Sequence, residues 1–211
     1  MIVIVDYGMG NLRSAQKGFE SAGHDAIISE KPADIAKADA VVLPGVGAFK
    51  DCYDGLRSRG LLDPVIDAAR SGRPFLGICV GLQLLFDASE EGVGSSGLGI
   101  LAGKVVRFAA AKDTGLKVPH MGWNRIRPTN GGHACPLLKQ FTTNPYMYFV
   151  HSYYARPDDE RTVLASTQYG VEFPAMVGRG NVFAVQFHPE KSQREGIRIL
   201  KAFGDLVEES R

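Results

Sequence analysis

"FLGICVGLQLLF" (75–86) joins a short apolar run to a helix-like pattern through Gly77-Ile78-Cys79-Val80-Gly81. The run up to Cys79 reads as a buried strand and the run after it as a helix. A buried, near-continuously apolar strand leading straight into a helix belongs to a parallel sheet covered on both faces. The residues upstream repeat the unit. "IVIVDY" (2–7) is a β-branched strand, and Asn11 stands where it would cap a helix from Leu12 to about Ala22. "DAIISE" (25–30) and "AVVLPG" (40–45) are further strands with a short helix between them. "DPVIDAARSG" (63–72) reads as a helix with Asp63 as cap, Pro64 at its first position and Gly72 beyond its end.

Downstream the pattern changes. "VVRF" (105–108), "NRIRP" (124–128), "MYFVHSYYA" (147–155), "TVLASTQ" (162–168), "PAMVGRG" (174–180) and "VFAVQFH" (182–188) read as strands. They are separated by turns rich in Gly, Asn, Asp and Pro. Hairpins extending the sheet in antiparallel fashion are expected, then a closing helix from Glu195 to about Glu209. The expected fold is α/β, a mostly parallel central sheet with flanking helices and an antiparallel extension. No repeat, low-complexity tract or linker divides the chain, so residues 1–211 are expected to form a single domain.

Bulk properties narrow the function. The 211 residues are 45% hydrophobic, and 24 basic against 23 acidic side chains leave a net charge of +1. That balance gives no reason to expect nucleic acid or an anionic membrane as partner. No apolar run approaches the roughly 18 residues that span a bilayer. "MIVIVDYG" lacks the basic region and cleavage site of a signal peptide. Cys52, Cys79 and Cys135 are too scattered for a disulfide framework or a zinc site. The simplest expectation is a cytoplasmic protein with reduced thiols, no metal and no cofactor.

Three segments carry chemistry. The first is G-x-C-x-G at 77–81, the thiol counterpart of a nucleophile elbow. Its glycines allow a tight turn. The helix that follows aims its free N–H groups and positive dipole end at Cys79, which favours a thiolate, and the Val80 N–H is placed to hold an oxyanion. A packing cysteine beside small residues is the alternative. The second is "QFHPEKS" (186–192). In an extended segment His188 and Glu190 point the same way, with Pro189 stiffening the link. An imidazole can activate a thiol and a carboxylate can orient the imidazole. Alone, the tripeptide could be a solvated turn, but it follows a strand that should end at the same sheet edge as Cys79. The third is "LPGVGAF" (43–49), whose Pro44-Gly45-Val46-Gly47 leaves free backbone N–H groups at a strand's carboxyl end, the ligand-binding edge of open α/β sheets. An ordinary turn is the alternative there.

"PGVG", "GICVGLQLLF" and "FHPE", in this order, resemble the class I, triad-type glutamine amidotransferases and their flavodoxin-like fold. "DYGMGN" (6–11), "PHMGWN" (119–124), "YFVHSYY" (148–154) and "FHPEKS" (187–192) resemble more narrowly the amidotransferase subunits of imidazole glycerol phosphate synthases. The likeness runs from residue 3 to about 205. Val80 and Leu82 depart mildly, standing where that family has Leu and Met. The resemblance implies that Cys79 attacks the side-chain amide of L-glutamine, that His188 moves protons and that Glu190 orients it. Backbone N–H groups of Val46 and Val80 would hold the oxyanion. Gly47, Gln83 and the backbone of His151, Ser152 and Tyr153 would bind the substrate. Tyr154 is read as aromatic packing only.

It also implies a partner, because free ammonia is largely protonated at neutral pH. That partner would be a (β/α)8-barrel cyclase subunit in a 1:1 heterodimer, making imidazole glycerol phosphate in histidine biosynthesis. Met121 and Trp123, in a segment with little strand character, are anchor residue types, with Asn11 and Lys191 as further interface candidates. A core Trp is the alternative. A stand-alone γ-glutamyl hydrolase and a non-catalytic regulatory module of the same fold are the rival functions. Gly92-Val93-Gly94-Ser95-Ser96-Gly97 fits G-x-G-x-x-G but follows a helix pattern, so a loop is expected rather than a dinucleotide site. His24, His120 and His133 show no metal spacing. "RSRG" (57–60) and "KVVRF" (104–108) read as solvated basic faces. Cys52 and Cys135 are expected to tolerate Ala or Ser.

Overall fold

The computed structural model describes residues 1–92, 94–109 and 115–210. The apolar runs of the first half form β1 (Ile2–Val5), β2 (Ala26–Ser29), β3 (Ala40–Gly45) and β4 (Phe75–Cys79). They pair in parallel in the order β2-β1-β3-β4, the order of the doubly wound flavodoxin type. All of β1, β3 and β4 is buried. Helices α1 (Leu12–Ser21), α2 (Pro32–Lys37), α3 (Phe49–Ser58) and α4 (Leu62–Arg70) make the connections.

Two helix starts differ from expectation. Asn11 occupies the cap position of α1, but its side chain makes no capping bond. Helix α4 begins at Leu62, with Leu61 and not Asp63 as cap. Asp63 and Pro64 therefore sit in the first turn, where a missing N–H costs nothing. Gly72 lies just past the end with φ +83°, as expected.

The sheet continues through β14 (Val182–Val185), which runs parallel to β4, and then through antiparallel β13 (Val171–Arg179), β12 (Val163–Tyr169) and β9 (Arg127–Pro128). This is the expected antiparallel extension, but not all second-half strands join it. The segment 147–155, expected as one strand, is two. β10 (Tyr146–His151) pairs with β8 (His120–Arg125), while β11 (Tyr153–Pro157) pairs with β7 (Gly103–Arg107). The switch of partners falls at Ser152. β7 also pairs with β5 (Ala88–Ser89), which pairs with β6 (Ser95–Ser96). "PHMGWN" is thus largely strand, a second correction. The closing helix is α6 (Gln193–Glu209), packed on α1 with Phe19 and Phe203 in ring contact at 6.1 Å.

The glycine-rich run at 92–97, expected as a loop, instead carries β6 at Ser95–Ser96; Val93 lies outside the described residues. A Cβ at Gly97 would stand 2.0 Å from the Phe86 carbonyl oxygen, so this segment crosses closely over the chain that follows Cys79. Tyr154 packs against Phe108 at 4.7 Å between ring centroids.

Candidate active site

Cys79 ends β4 and carries φ +57° and ψ −110°, a backbone conformation rare for a side-chain-bearing residue. The turn is tight enough that neither flanking glycine can change. A Cβ at Gly77 would come 2.8 Å from the Gly81 oxygen, and one at Gly81 would come 1.9 Å from the Leu43 oxygen. The following helix, α5 (Val80–Leu84), is five residues long. The expected longer helix is cut off because the chain at 98–101 bonds back to it: Leu98 donates to the Leu84 carbonyl, and Ile100 and Leu101 donate to Leu85. What faces Cys79 is therefore one first turn, whose N–H groups have no intrahelical partner, and not a long dipole.

Because β14 lies beside β4 in parallel register, with Val185 opposite Ile78, the chain leaving β14 passes the same sheet edge as Cys79. His188 is there, buried, with Nδ1 2.8 Å from Glu190 Oε1. The link between them is a 3-10 turn (Pro189–Lys191) and not the expected extended segment. The turn is tied down at both ends. The His188 N–H donates to the Tyr148 carbonyl. The Ser192 hydroxyl donates to the His188 carbonyl at 2.6 Å and accepts from the Tyr148 N–H at 2.9 Å.

His188 Nε2 and Glu190 Oε2 are buried without a hydrogen-bond partner. Burial opposes charge on the imidazole, but interactions with Cys79 and Glu190 outweigh it and raise the His188 pKa to about 10.

A cavity of about 400 Å³ opens in front of Cys79 and His188. Val46, Gly47, Val80 and Gln83 line it on one side, and His151, Ser152, Tyr153 and Lys191 on the other. The strand switch at Ser152 is what turns this backbone toward the cavity. Glu190 stands behind His188, outside the lining. Both Nε2 hydrogens of Gln83 are engaged, by the Tyr153 carbonyl at 3.0 Å and by Gln186 Oε1 at 3.1 Å.

Sequence reading missed three contributors. Gln186, fully buried, places Nε2 3.9 Å from Cys79 Sγ. Glu91 lines the cavity while accepting from the Phe49 N–H at 2.8 Å. His120 backs the wall, with Nδ1 2.9 Å from His151 Nε2, while His151 Nδ1 lies 2.8 Å from the Tyr153 carbonyl. That carbonyl can only accept, so His151 carries its proton on Nδ1 and receives one bond from His120. Burial lowers the His120 pKa to about 4 and that of His151 to about 3, so both rings are neutral. Gln186 and His120 stand inside segments that drew notice for other residues, and Glu91 stands in none; each meets the site only through the fold.

Along β8 burial alternates: His120 is inside, while Met121 and Trp123 are 65% and 46% exposed. The core alternative for Trp123 is excluded. Its ring meets Tyr148 edge-on, and Arg125 lies over the ring of the half-exposed Tyr146. Asn11 is partly buried at the start of α1, and Lys191 is exposed. Among the described residues no group of three or more His, Cys, Asp or Glu could hold a metal ion. His24 instead contacts Asp205 and Glu208. No described helix is long and apolar enough to cross a membrane.

The family described as glutamine amidotransferase class-I matches residues 3–205. The chain is 54% identical to the imidazole glycerol phosphate synthase subunit HisH of Syntrophotalea carbinolica, over 98% of this chain and 100% of that protein. It is 48% identical to the subunit of the same name from Geobacter sulfurreducens, over 97% and 98%. Among solved structures, one described as a glutamine amidotransferase superposes with a TM-score of 0.75 at 22% identity, covering 99% of this chain and all of the other. PurLQS from Thermotoga maritima gives 0.75 at 19% identity, covering 98% of each. A cysteine elbow and a His-Glu pair meeting at one sheet edge, with a family match along nearly the whole chain, make this protein a member of the class-I glutamine amidotransferases.

Proposed function

We propose that the chain is the glutaminase subunit of an imidazole glycerol phosphate synthase, acting in histidine biosynthesis. The observation that carries this reading is that Cys79, at the end of β4, and His188, on the chain leaving the neighbouring parallel strand β14, face one cavity with Glu190 behind the imidazole. Cys79, its proton passed to His188, attacks the carboxamide carbon of glutamine and a C–S bond forms. The negative oxygen is held by the N–H groups of Val80 and Val46. Collapse breaks the C–N bond, and His188 gives its proton to the departing nitrogen, releasing ammonia. His188 then takes a proton from water as the water attacks the thioester. The C–S bond breaks and glutamate leaves.

The raised pKa of His188 suits this cycle, because the ring must carry the proton that ammonia removes. Gly47, Gln83 and the 151–153 backbone position the substrate, and the Glu91 carboxylate offers a counter-charge for an α-ammonium group. Residues 1–211 work as one amidotransferase domain, in the cytoplasm, where buried free cysteines persist.

The chain serves as a subunit of a glutamine-using complex, and its partner is a (β/α)8-barrel cyclase bound one to one. The exposed Met121 and Trp123 on β8, with Asn11 and Lys191 nearer the triad, supply the docking face. The test is glutamate release from glutamine by the purified chain, with and without the cyclase subunit. Strong stimulation by the cyclase is expected. Full turnover by the chain alone would point to a stand-alone hydrolase.

A further inference from the structure

We infer that Tyr7 and Cys52 are positioning residues for the oxyanion strand: their side-chain donors pin the peptide planes on both sides of the Gly45–Val46 peptide, so that any turning at the end of β3 is confined to that one plane. The inference rests on the reading of the Val46 N–H as an oxyanion donor. Tyr7 follows β1 and is fully buried. Its hydroxyl donates to the Pro44 carbonyl at 2.6 Å. Cys52, fully buried in the first turn of α3, donates its S–H to the Val46 carbonyl at 3.3 Å. The Pro44 carbonyl belongs to the plane before Gly45 and the Val46 carbonyl to the plane after Val46. Only the plane holding the Gly45 carbonyl and the Val46 N–H lies between.

A peptide plane turns by opposite changes in the two soft dihedrals beside it, here ψ of Gly45 and φ of Val46, while its neighbours stay in place. Pinning both neighbours confines motion to the one plane that carries the donor. The surroundings are built for this clamp. A Cβ at Gly45 would meet Tyr7 Oη at 3.0 Å, and Gly81 N and Val80 Cβ at 2.8 Å, so the strand lies flush against both the phenol and the elbow. Gly55 lets α3 seat on Tyr7, since a Cβ there would lie 2.9 Å from the Tyr7 backbone carbonyl oxygen and 3.1 Å from the edge of its ring. Gly47, with φ +85°, takes up the turn beyond the second clamp.

Neither donor lines the cavity, so neither is spent on substrate. Both keep the proton they donate. Burial, and then contact with Cys52, pushes the Tyr7 phenol well above its usual range. Burial pushes the Cys52 thiol up to about 11.

The test compares Tyr7→Phe, Cys52→Ala and Cys52→Ser with the unchanged chain, each as the complex with the cyclase subunit and with glutamine as substrate. Loosening the strand should cost about tenfold in kcat, less than the 10²–10³ of losing a donor outright. Tyr7→Phe and Cys52→Ala are expected to show that loss, with KM for glutamine and the rate of Cys79 alkylation by iodoacetamide within about twofold of the unchanged chain. Cys52→Ser, which keeps a donor, should restore most of kcat. Unchanged kcat in Tyr7→Phe and Cys52→Ala would overturn the inference. So would a loss shared equally by alkylation and KM, which marks general deformation, or one that Ser does not restore. Val46→Pro separates the two levels. If it keeps full activity, the oxyanion reading itself fails; if it is inactive while the clamp variants are normal, only the clamp fails.

Discussion

Cys79 combines a nucleophile with a backbone conformation that few side chains adopt, and Gly77 and Gly81 make that possible by admitting other backbone within 3 Å of where their side chains would be. On the proposed pairing with a cyclase, Cys79→Ala should abolish glutamine-dependent synthesis in the complex yet leave synthesis from added ammonium salts, because that partner would need only the ammonia. Glutaminase activity surviving in that variant would remove the assignment. The three catalytic candidates were legible because their chemistry is local: a thiol in an elbow, and an imidazole two residues from a carboxylate. Gln186 and Glu91 were not, since an amide at the edge of the His188 segment and an isolated carboxylate acquire meaning only from what folds against them. Cys52 shows the same limit. From sequence it was equivalent to Cys135, but one lies beneath the oxyanion strand and the other beside a short 3-10 turn at Gly132–Ala134.

At the scale of elements, α5 and β8 carry the consequences. The first turn of α5 touches the backbone of β3 through Gly81, so Gly81→Ala must push whole elements apart. A loss of at least about 3 kcal/mol in denaturant unfolding is expected, at the upper end of what overpacking costs. Stability within about 0.5 kcal/mol of the unchanged chain, typical of open surface sites, would show that the elbow yields. On β8 the alternation of burial puts Trp123 outside. Trp123→Ala should therefore barely change the stability of the free chain, while weakening cyclase binding by about 2 kcal/mol or more. Titration calorimetry with an unchanged affinity would exclude Trp123 as an anchor. The first four residues of β8 escaped sequence reading, which began a strand only at Asn124, because their β-character comes from pairing with β10: Gly122 is a poor strand former that the partner strand holds in register.

The whole molecule sets the pH response. His120 and His151 have folded pKa values near 4 and 3, below the usual 6.5, so the unfolded chain binds their protons first. Their contribution to stability is complete above about pH 6.5 and declines as pH falls toward those values. His188, raised to about 10, does the reverse: its contribution is complete below about pH 6.5 and is lost as pH rises through 10. Urea midpoints should accordingly be lower at about pH 4.5 and about pH 9 than near 6.5. His120→Gln should flatten the acid limb, and Glu190→Gln the alkaline one. Equal slopes in variant and unchanged chains would refute the assignment of those limbs. A turn of the Gly45–Val46 peptide, as inferred above, also belongs at this scale, because it would couple a partner to the site. If the cyclase and its ligand favour the Val46 N–H turned inward, Val46→Pro should reduce ligand-stimulated glutaminase toward the unstimulated level, with complex formation and Cys79 alkylation intact.

By itself the sequence determined the parallel βα core, the cysteine elbow, the His-Pro-Glu pair and the glycine-bearing strand end. Each follows from apolar periodicity or from steric demands within a few residues. Only the tertiary structure decided that α5 stops after five residues, that the 147–155 run divides at Ser152, and that His120, Gln186 and Glu91 meet the site. The physical reason is the same in each case. A carbonyl taken by a crossing chain, a strand exchanging one partner for another, or a buried amide finding its acceptor depends on contacts between segments far apart in sequence. Local preference is silent there, and the packing of the whole chain selects the outcome.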